Sequence, residues 1–212
     1  YEVIVVNDGT KDNSMDIVKD YDVKVINQKN QGLSAARNAG VKKATGEYLI
    51  FLDSDDYWEK DLLKELSKSL KNNPDLIRFQ INEVYEDGKT ISYPEESFTN
   101  LSGPDAFKKI VKYHFVENAW SYAINKKYYL QNKFEFKPGT IHEDFGLTPE
   151  EIKLVRKHLD KDNGVCSSQE GMMLLTMDEE VANFDVVQSN KLRKGCAKKV
   201  PKLIQQAKEM LF

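Results

Sequence analysis

The chain has 212 residues, 31% of them charged and 40% hydrophobic, with ten Phe and ten Tyr; this excludes a disordered polar chain and allows one sizeable core or two small ones. A formal net charge of -3 gives the molecule no general attraction to nucleic acid, and no apolar run approaches the ~20 residues that span a bilayer, so a soluble chain with no nucleic-acid partner is expected. Two cysteines, Cys166 and Cys196, lie far apart and outside metal-ligand spacing, which reads as reduced thiols in a cytoplasmic protein.

The opening run from Glu2 to Asn7 is short, continuous and β-branched, with no charged leader ahead of it. This is the pattern of a strand buried on both faces, ended by a turn at Asp8-Gly9. Ser14 reads as the cap of a short helix through Lys19, and Val23 to Ile26 as a second strand. Leu33 to Ala44 is Ala-rich and stopped by Thr45-Gly46, which predicts a helix. Tyr48 to Leu52 is a third apolar run, closed by Asp53-Ser54-Asp55-Asp56. Alternating strand and helix predict an α/β layer with parallel strands that binds ligands at their carboxyl ends.

Leu62, Leu63, Leu66 and Leu70 recur at helical spacing up to Pro74. Leu76 to Tyr85 alternates as a strand, and Asp87-Gly88 followed by Thr90 to Tyr93 reads as its hairpin return. A helix is expected near Pro104 to Tyr113, ahead of the aromatic segment Ala119 to Ile124. Thr148-Pro149-Glu150-Glu151 supplies a helix start, so Pro149 to Leu159 reads as an amphipathic helix. Met172 to Phe184 is apolar with an acidic break, and Lys191 to Phe212 is basic with spaced apolar residues. Asp160 to Gly164 has the look of a calcium loop, but its Gly comes one place early and no acid closes it, so calcium is discounted.

Three carboxylates within Asp53 to Asp56 repel one another, and at the end of a buried strand they call for a compensating cation or donors. Hard divalent cations take one or two carboxylates and complete their shell with substrate phosphates, so Asp53 and Asp55 fit a Mg²⁺ or Mn²⁺ site on a diphosphate. The plainer reading, equally good for Asp56 alone, is a helix cap with solvated turn residues.

The strings YEVIVVNDGTKDNS, NQGLSAARNAGVKKATGEYLIFLDSDDYW and IHEDFG, in this order, resemble the successive motifs of family 2 glycosyltransferases. The middle string is the most specific, because its helix, strand and DxD-type end occur together. The resemblance covers about residues 1–148. It implies a GT-A (Rossmann-like) fold with a mixed, mainly parallel sheet flanked by helices, a nucleotide-sugar donor, a UDP-sugar by preference, and inversion at the anomeric carbon. Carried over by position, Asp8 matches the acid that contacts the nucleotide base, Asp53 the first acid of the DxD motif near ribose and metal, and Asp55 the acid that ligates the metal. Arg37 falls on the loop-helix segment near the donor, where a guanidinium could neutralise pyrophosphate; a surface ion pair is as good an account. Asp144 matches the catalytic base, which takes the acceptor hydroxyl's proton as it attacks opposite the leaving nucleotide. Glu143 is read as orienting acceptor or base, His142 as structural, and Trp120 as an aromatic near the acceptor or a core residue.

The family's pattern also includes an apolar strand and a helix ahead of the segment that here starts at Tyr1. The resemblance therefore implies exposed ladder groups on the neighbouring strands, an opened base-binding side, and weak donor binding. Residues 149–212 have no counterpart in the pattern and are read as a mostly helical C-terminal segment, whose basic end offers packing on its own domain or peripheral contact with a membrane. The expected partners are a nucleotide-sugar donor and a glycan or lipid-linked acceptor. The expected place is the cytoplasm, at the inner face of the membrane where that contact is made, and the setting is bacterial surface-polysaccharide synthesis. Two alternatives stand beside the transferase. One is a truncated or degenerate GT-A domain serving as a binding or assembly module. The other, weaker, is a haloacid dehalogenase-type phosphatase, which would want Gly then Thr or Val where Asp56 and Tyr57 stand.

Overall fold

The computed structural model describes residues 1–54, 56–85, 87–93, 96–112, 118–140, 143–145, 147, 158–167 and 172–177, the last two stretches as backbone. The early elements follow the expected order: β1 (Glu2–Asn7), α1 (Ser14–Val18), β2 (Lys24–Asn27), α2 (Leu33–Lys43) and β3 (Tyr48–Asp53). Ser14 is the first helical residue of α1 rather than its cap; Asn13 holds the cap position, and Asp12 Oδ1 accepts from the Ser14 N–H at 2.9 Å. Then come β4 (Tyr57–Trp58), α3 (Leu62–Leu70), β5 (Leu76–Val84), β6 (Thr90–Ser92), β7 (Thr99–Leu101) and α4 (Gly103–Ile110). The expected hairpin is present, with Asn82 opposite Ser92 and Val84 opposite Thr90. A 3-10 turn at Ala119–Ser121 leads into β8 (Tyr122–Asn125) and α5 (Lys126–Gln131), and β9 (His158–Ser167) and β10 (Met172–Met177) close the described chain.

The sheet order is β2-β1-β10-β3-β8-β5-β9-β4. Strands β1 and β2 pair in parallel, with Asn7 opposite Asn27, and β5 and β9 are also parallel. The antiparallel pairings of β10 with β1 and β3, and of β8 with β3 and β5, leave β1, β2, β3, β5 and β9 running in one direction. The α/β layer with a mixed sheet is therefore as expected, while many adjacent pairs are antiparallel because reversed strands interleave with the common set. In the C-terminal segment read as mostly helical, the described residues are strands β9 and β10; residues 149–157 and 178–212 lie outside the described residues. The discounted calcium loop, Asp160 to Gly164, lies inside β9.

Placement of β10 corrects the expectation of exposed ladders: β10 pairs with β1 on one side, Leu174 opposite Ile4, and with β3 on the other, Leu174 opposite Phe51. Buried backbone N–H and C=O groups left unpaired would cost free energy comparable to lost hydrogen bonds, which a strand at this position avoids.

Alternation along β1 and β3 divides the core. Val3, Val5, Ile50 and Leu52 pack on one face with Leu62, Leu63, Leu66 and Leu70 of α3. Ile4, Val6, Leu49 and Phe51 pack on the other with Ala36 and Val41 of α2, Ile110 of α4 and Tyr128 of α5. Both faces being covered is the reason these strands read as unbroken apolar runs. The common direction of β1, β2 and β3 brings Asn7, Asn27 and Asp53 to one edge. Because β8 runs the other way, with Ala123 opposite Ile50, its leading residues Trp120, Ser121 and Tyr122 come to that same edge. No helix among the described residues is long and apolar enough to cross a membrane.

Candidate functional site

The edge begins with Asn7 and Asp8. Asn7 Oδ1 accepts from the backbone N–H of Gly9 at 3.1 Å and of Thr10 at 2.9 Å, and its Nδ2 donates to Asn27 Oδ1 at 2.9 Å. This Asx turn reverses the chain as Asp8-Gly9 led one to expect, with Gly9 at φ 83° and no room for a Cβ, which would lie 3.0 Å from the Asn30 nitrogen. Asp8 itself is fully buried. Its Oδ1 accepts from Gln28 Nε2 and from the Gln31 N–H, and its Oδ2 from the Gly32 N–H, each at 2.8 Å. The carboxylate thus holds the loop that delivers the chain to α2.

Helix α2 carries the next two groups. Arg37 is 1% exposed, so its ion pairs are buried rather than on the surface. Its Nη1 is ion-paired with Glu143 Oε1, and its Nη2 lies 3.6 Å from Asp53 Oδ1. The guanidinium also stands over the rings of Phe136 at 4.8 Å and Phe51 at 5.9 Å, and the two rings meet edge to face at 5.2 Å. The neighbouring Asn38 makes a reciprocal pair with the backbone of Phe136: its Nδ2 donates to the Phe136 carbonyl at 2.7 Å, and its Oδ1 accepts from the Phe136 N–H at 3.0 Å. Asn38 was not singled out from the sequence, although Asn inside an otherwise Ala-rich helix competes with helical hydrogen bonding and so hints at a tertiary partner.

Asp53 ends β3 with a side chain 19% exposed. Asp55 and His142 lie outside the described residues. Asp56 is buried, and its N–H donates to the Asp53 carbonyl at 3.0 Å; helix α3 starts only behind Asp61, so Asp56 is a turn residue rather than its cap. Glu143, Asp144 and Phe145 form a helical turn in which Glu143 and Asp144 are half-buried and Phe145 is 64% exposed. Arg37 therefore draws the strand-end acid and the turn bearing Glu143 and Asp144 to one place. Trp120 is 6% exposed and belongs to the core cluster containing Leu52, Trp58 and Ala123. Beside it, the fully buried Arg78 of β5 donates to Tyr122 Oη at 2.8 Å and Ser121 Oγ at 3.3 Å.

No group of three or more His, Cys, Asp or Glu placed to hold a metal ion occurs among the described residues. The donor set still suits a hard cation, since one or two carboxylates at a strand end suffice when a substrate's phosphates supply the other oxygens.

The sequence pattern of the family described as Glycosyl transferase family 2 matches residues 1–140. The uncharacterized glycosyltransferase EpsJ of Bacillus subtilis is 33% identical over 136 residues, 59% of this chain and 40% of that protein. A cholesterol galactosyltransferase of Borreliella burgdorferi is 31% identical over 163 residues, 68% of this chain and 44% of that protein. The chain thus spans less than half the length of these relatives. Among solved structures, residues 1–349 of TarS from S. aureus in complex with UDP-GlcNAc share the fold, with a TM-score of 0.64 at 23% identity over 80% of this chain and 50% of that one.

Proposed function

The chain belongs to glycosyl transferase family 2, and on that premise we propose that it transfers a sugar from a nucleoside diphosphate sugar, a UDP-sugar by preference, to a hydroxyl of a glycan or lipid-linked acceptor, with inversion. The observation that supports this most is the joining of Asp53 and Glu143 through the buried Arg37. That contact brings the DxD-type strand end and the turn bearing Asp144 to the same edge, as a displacement between donor and acceptor requires.

In this reading Asp144 takes the proton from the acceptor hydroxyl as its oxygen attacks the anomeric carbon, and the bond from that carbon to the diphosphate oxygen breaks on the opposite side. Glu143 orients that turn. Asp8 acts through the loop it holds, fixing Gln31 and Gly32 at the edge where the nucleotide would lie. A Mg²⁺ or Mn²⁺ ion shared by Asp53, Asp55 and the donor's phosphates would supply neutralisation of the charge that gathers on the departing diphosphate. By the family's usual setting, we place the protein in bacterial surface-polysaccharide synthesis in the cytoplasm; for its basic C-terminal segment, packing on its own domain is preferred to contact with the membrane's inner face.

The test is release of UDP from UDP-GlcNAc, the ligand of the TarS complex, with Mn²⁺ and a glycan acceptor present. Asp144→Asn is expected to lower turnover by roughly 10²–10⁴-fold without lowering thermal stability, and Asp53→Asn to lower turnover and, by leaving Arg37 with one fewer carboxylate, thermal stability as well. Turnover surviving Asp144→Asn would remove the assigned base. UDP binding with no turnover under any acceptor would favour the binding module over the enzyme.

A further inference from the structure

Arg37 and Asn38 are adjacent on α2, and both reach residues about a hundred positions away: Arg37 to Glu143, 106 residues on, and Asn38 to Phe136, 98 residues on. The two attachments differ in kind. Asn38 grips the main chain of Phe136 through both its N–H and its carbonyl, which fixes position and direction of the backbone there as one more rung of a ladder would. Arg37 grips the far end of the same segment through the side chain of Glu143, and its planar face is packed on the ring of Phe136 between the two grips. The same guanidinium lies against Asp53 of β3. Phe136 and Glu143 of one segment and Asp53 of another therefore converge on two neighbouring helical residues, all of them buried or nearly so.

We propose that Arg37 and Asn38 are positioning residues that fasten the segment bearing Glu143 and Asp144 to the carboxyl end of β3 and so set the separation between Asp53 and Asp144. The inference rests on the proposed roles of Asp53 and Asp144, but the fastening itself is a statement about geometry and has its own readout. A guanidinium with five donors in a rigid fork can hold two carboxylates in fixed directions at once, which a lysine ammonium cannot reproduce. An amide held at both its ends adds no charge to the site and so cannot act on a diphosphate through the field. The pair therefore separates placement from electrostatics: Asn38 tests placement alone, and Arg37 tests both. This also changes the part assigned to Arg37, from a group that meets the donor to one that sits behind the site and aims the acids.

The experiment uses the full chain and four variants, Asn38→Ala, Arg37→Lys, Arg37→Met and Glu143→Gln. Three quantities are read: amide hydrogen exchange of the peptide from Phe134 to Leu147, the Kd for UDP in Mn²⁺ by calorimetry, and turnover of UDP-GlcNAc. All variants should speed exchange in that peptide while β3 and α2 keep their protection, and turnover should fall roughly 10–100-fold, the order expected for misplacement of reacting groups by about 1 Å. The Kd for UDP should stay within about threefold, since binding shared by ground and transition states is untouched, and Arg37→Lys should recover part of what Arg37→Met loses. Asn38→Ala, which leaves every charge in place, carries the test should Arg37→Met not fold. Unchanged exchange in Asn38→Ala and Glu143→Gln would overturn the proposal, as would a Kd for UDP that weakens in step with turnover, which would return Arg37 to the donor. A wild-type chain that turns over none of a panel of nucleoside diphosphate sugars would defeat the proposed function, and the exchange data would still decide the fastening.

Discussion

Replacing Asp8 by Asn separates a carboxylate that shapes a loop from one that touches a ligand. Asp8 Oδ1 accepts two hydrogen bonds and Oδ2 one, all at 2.8 Å, and the side chain is fully buried. An Asn can turn its oxygen toward Gln28 and the Gln31 N–H, but its amide nitrogen then faces the Gly32 N–H, donor against donor. One charge-assisted bond is lost and two are weakened; with about 1.5–3 kcal/mol for a hydrogen bond to a charged group, Asp8→Asn should cost about 2 kcal/mol. For a chain of this length that corresponds to a fall in Tm of roughly 4–8 °C. Asp8→Ala removes both acceptor oxygens and all three hydrogen bonds, but Gln31 and Gly32 are exposed enough to recover water, so its cost should be about 3–4 kcal/mol rather than three full penalties. Urea unfolding with and without UDP measures both terms. A variant with wild-type stability and a Kd for UDP weakened tenfold or more would refute this account and make Asp8 a direct ligand of the nucleotide.

Gly32, the residue before α2, sits at φ 87°, ψ 172° with open space where a Cβ would go. Gly32→Ala should thus lose roughly 1–3 kcal/mol through backbone strain alone, read by urea unfolding. Ser102 caps α4 by accepting from the Asp105 N–H at 3.4 Å while its hydroxyl donates to Asp105 Oδ2 at 2.7 Å, so Ser102→Ala should cost about 1 kcal/mol in the same assay. Leu174→Pro should cost about 3 kcal/mol or more, because β10 is paired on both sides and proline removes a ladder donor. A thermal midpoint equal to wild type would argue against β10 lying between β1 and β3.

The parts of the fold that were legible in the sequence are those where local pattern and tertiary setting agree. Val3 to Val6 and Leu49 to Leu52 read as unbroken apolar runs because the sheet is covered on both faces, and Leu62, Leu66 and Leu70 kept helical spacing because α3 covers one of those faces. The acids at the end of β3 stood out for the same reason, as charge at the end of so apolar a strand. The burial of Arg37 was not legible because an arginine on an Ala-rich helix looks like a surface group, and what buries it, Phe51, Phe136 and Glu143, comes from elsewhere in the chain. Asn38 and Gln28 stayed hidden because their partners are a distant backbone and a buried carboxylate, neither of which leaves a periodic trace. Strand β10 carries no alternation of its own; its place depends on its pairing with both β1 and β3, which is a property of the sheet and not of Met172 to Met177.

The burial of Arg37 also bears on the choice between transferase and phosphatase. A phosphatase that used Asp53 as a nucleophile would need a carboxylate oxygen free to attack phosphorus in line, with its negative charge poorly stabilised in the ground state. Here Asp53 Oδ1 is buried and lies 3.6 Å from the Arg37 guanidinium, itself 1% exposed, which leaves at most one oxygen for solvent and disperses the charge of the pair. Such a carboxylate is better suited to holding still, as a ligand or an anchor, than to forming a bond. At the same time one guanidinium faces two carboxylates, Asp53 and Glu143, and a second cation arriving with a diphosphate would suit that pair. Hydrolysis of p-nitrophenyl phosphate should therefore be absent, and Mn²⁺ should tighten UDP binding in the wild type but not in Asp53→Asn. Phosphatase activity lost on Asp53→Asn would reverse this conclusion.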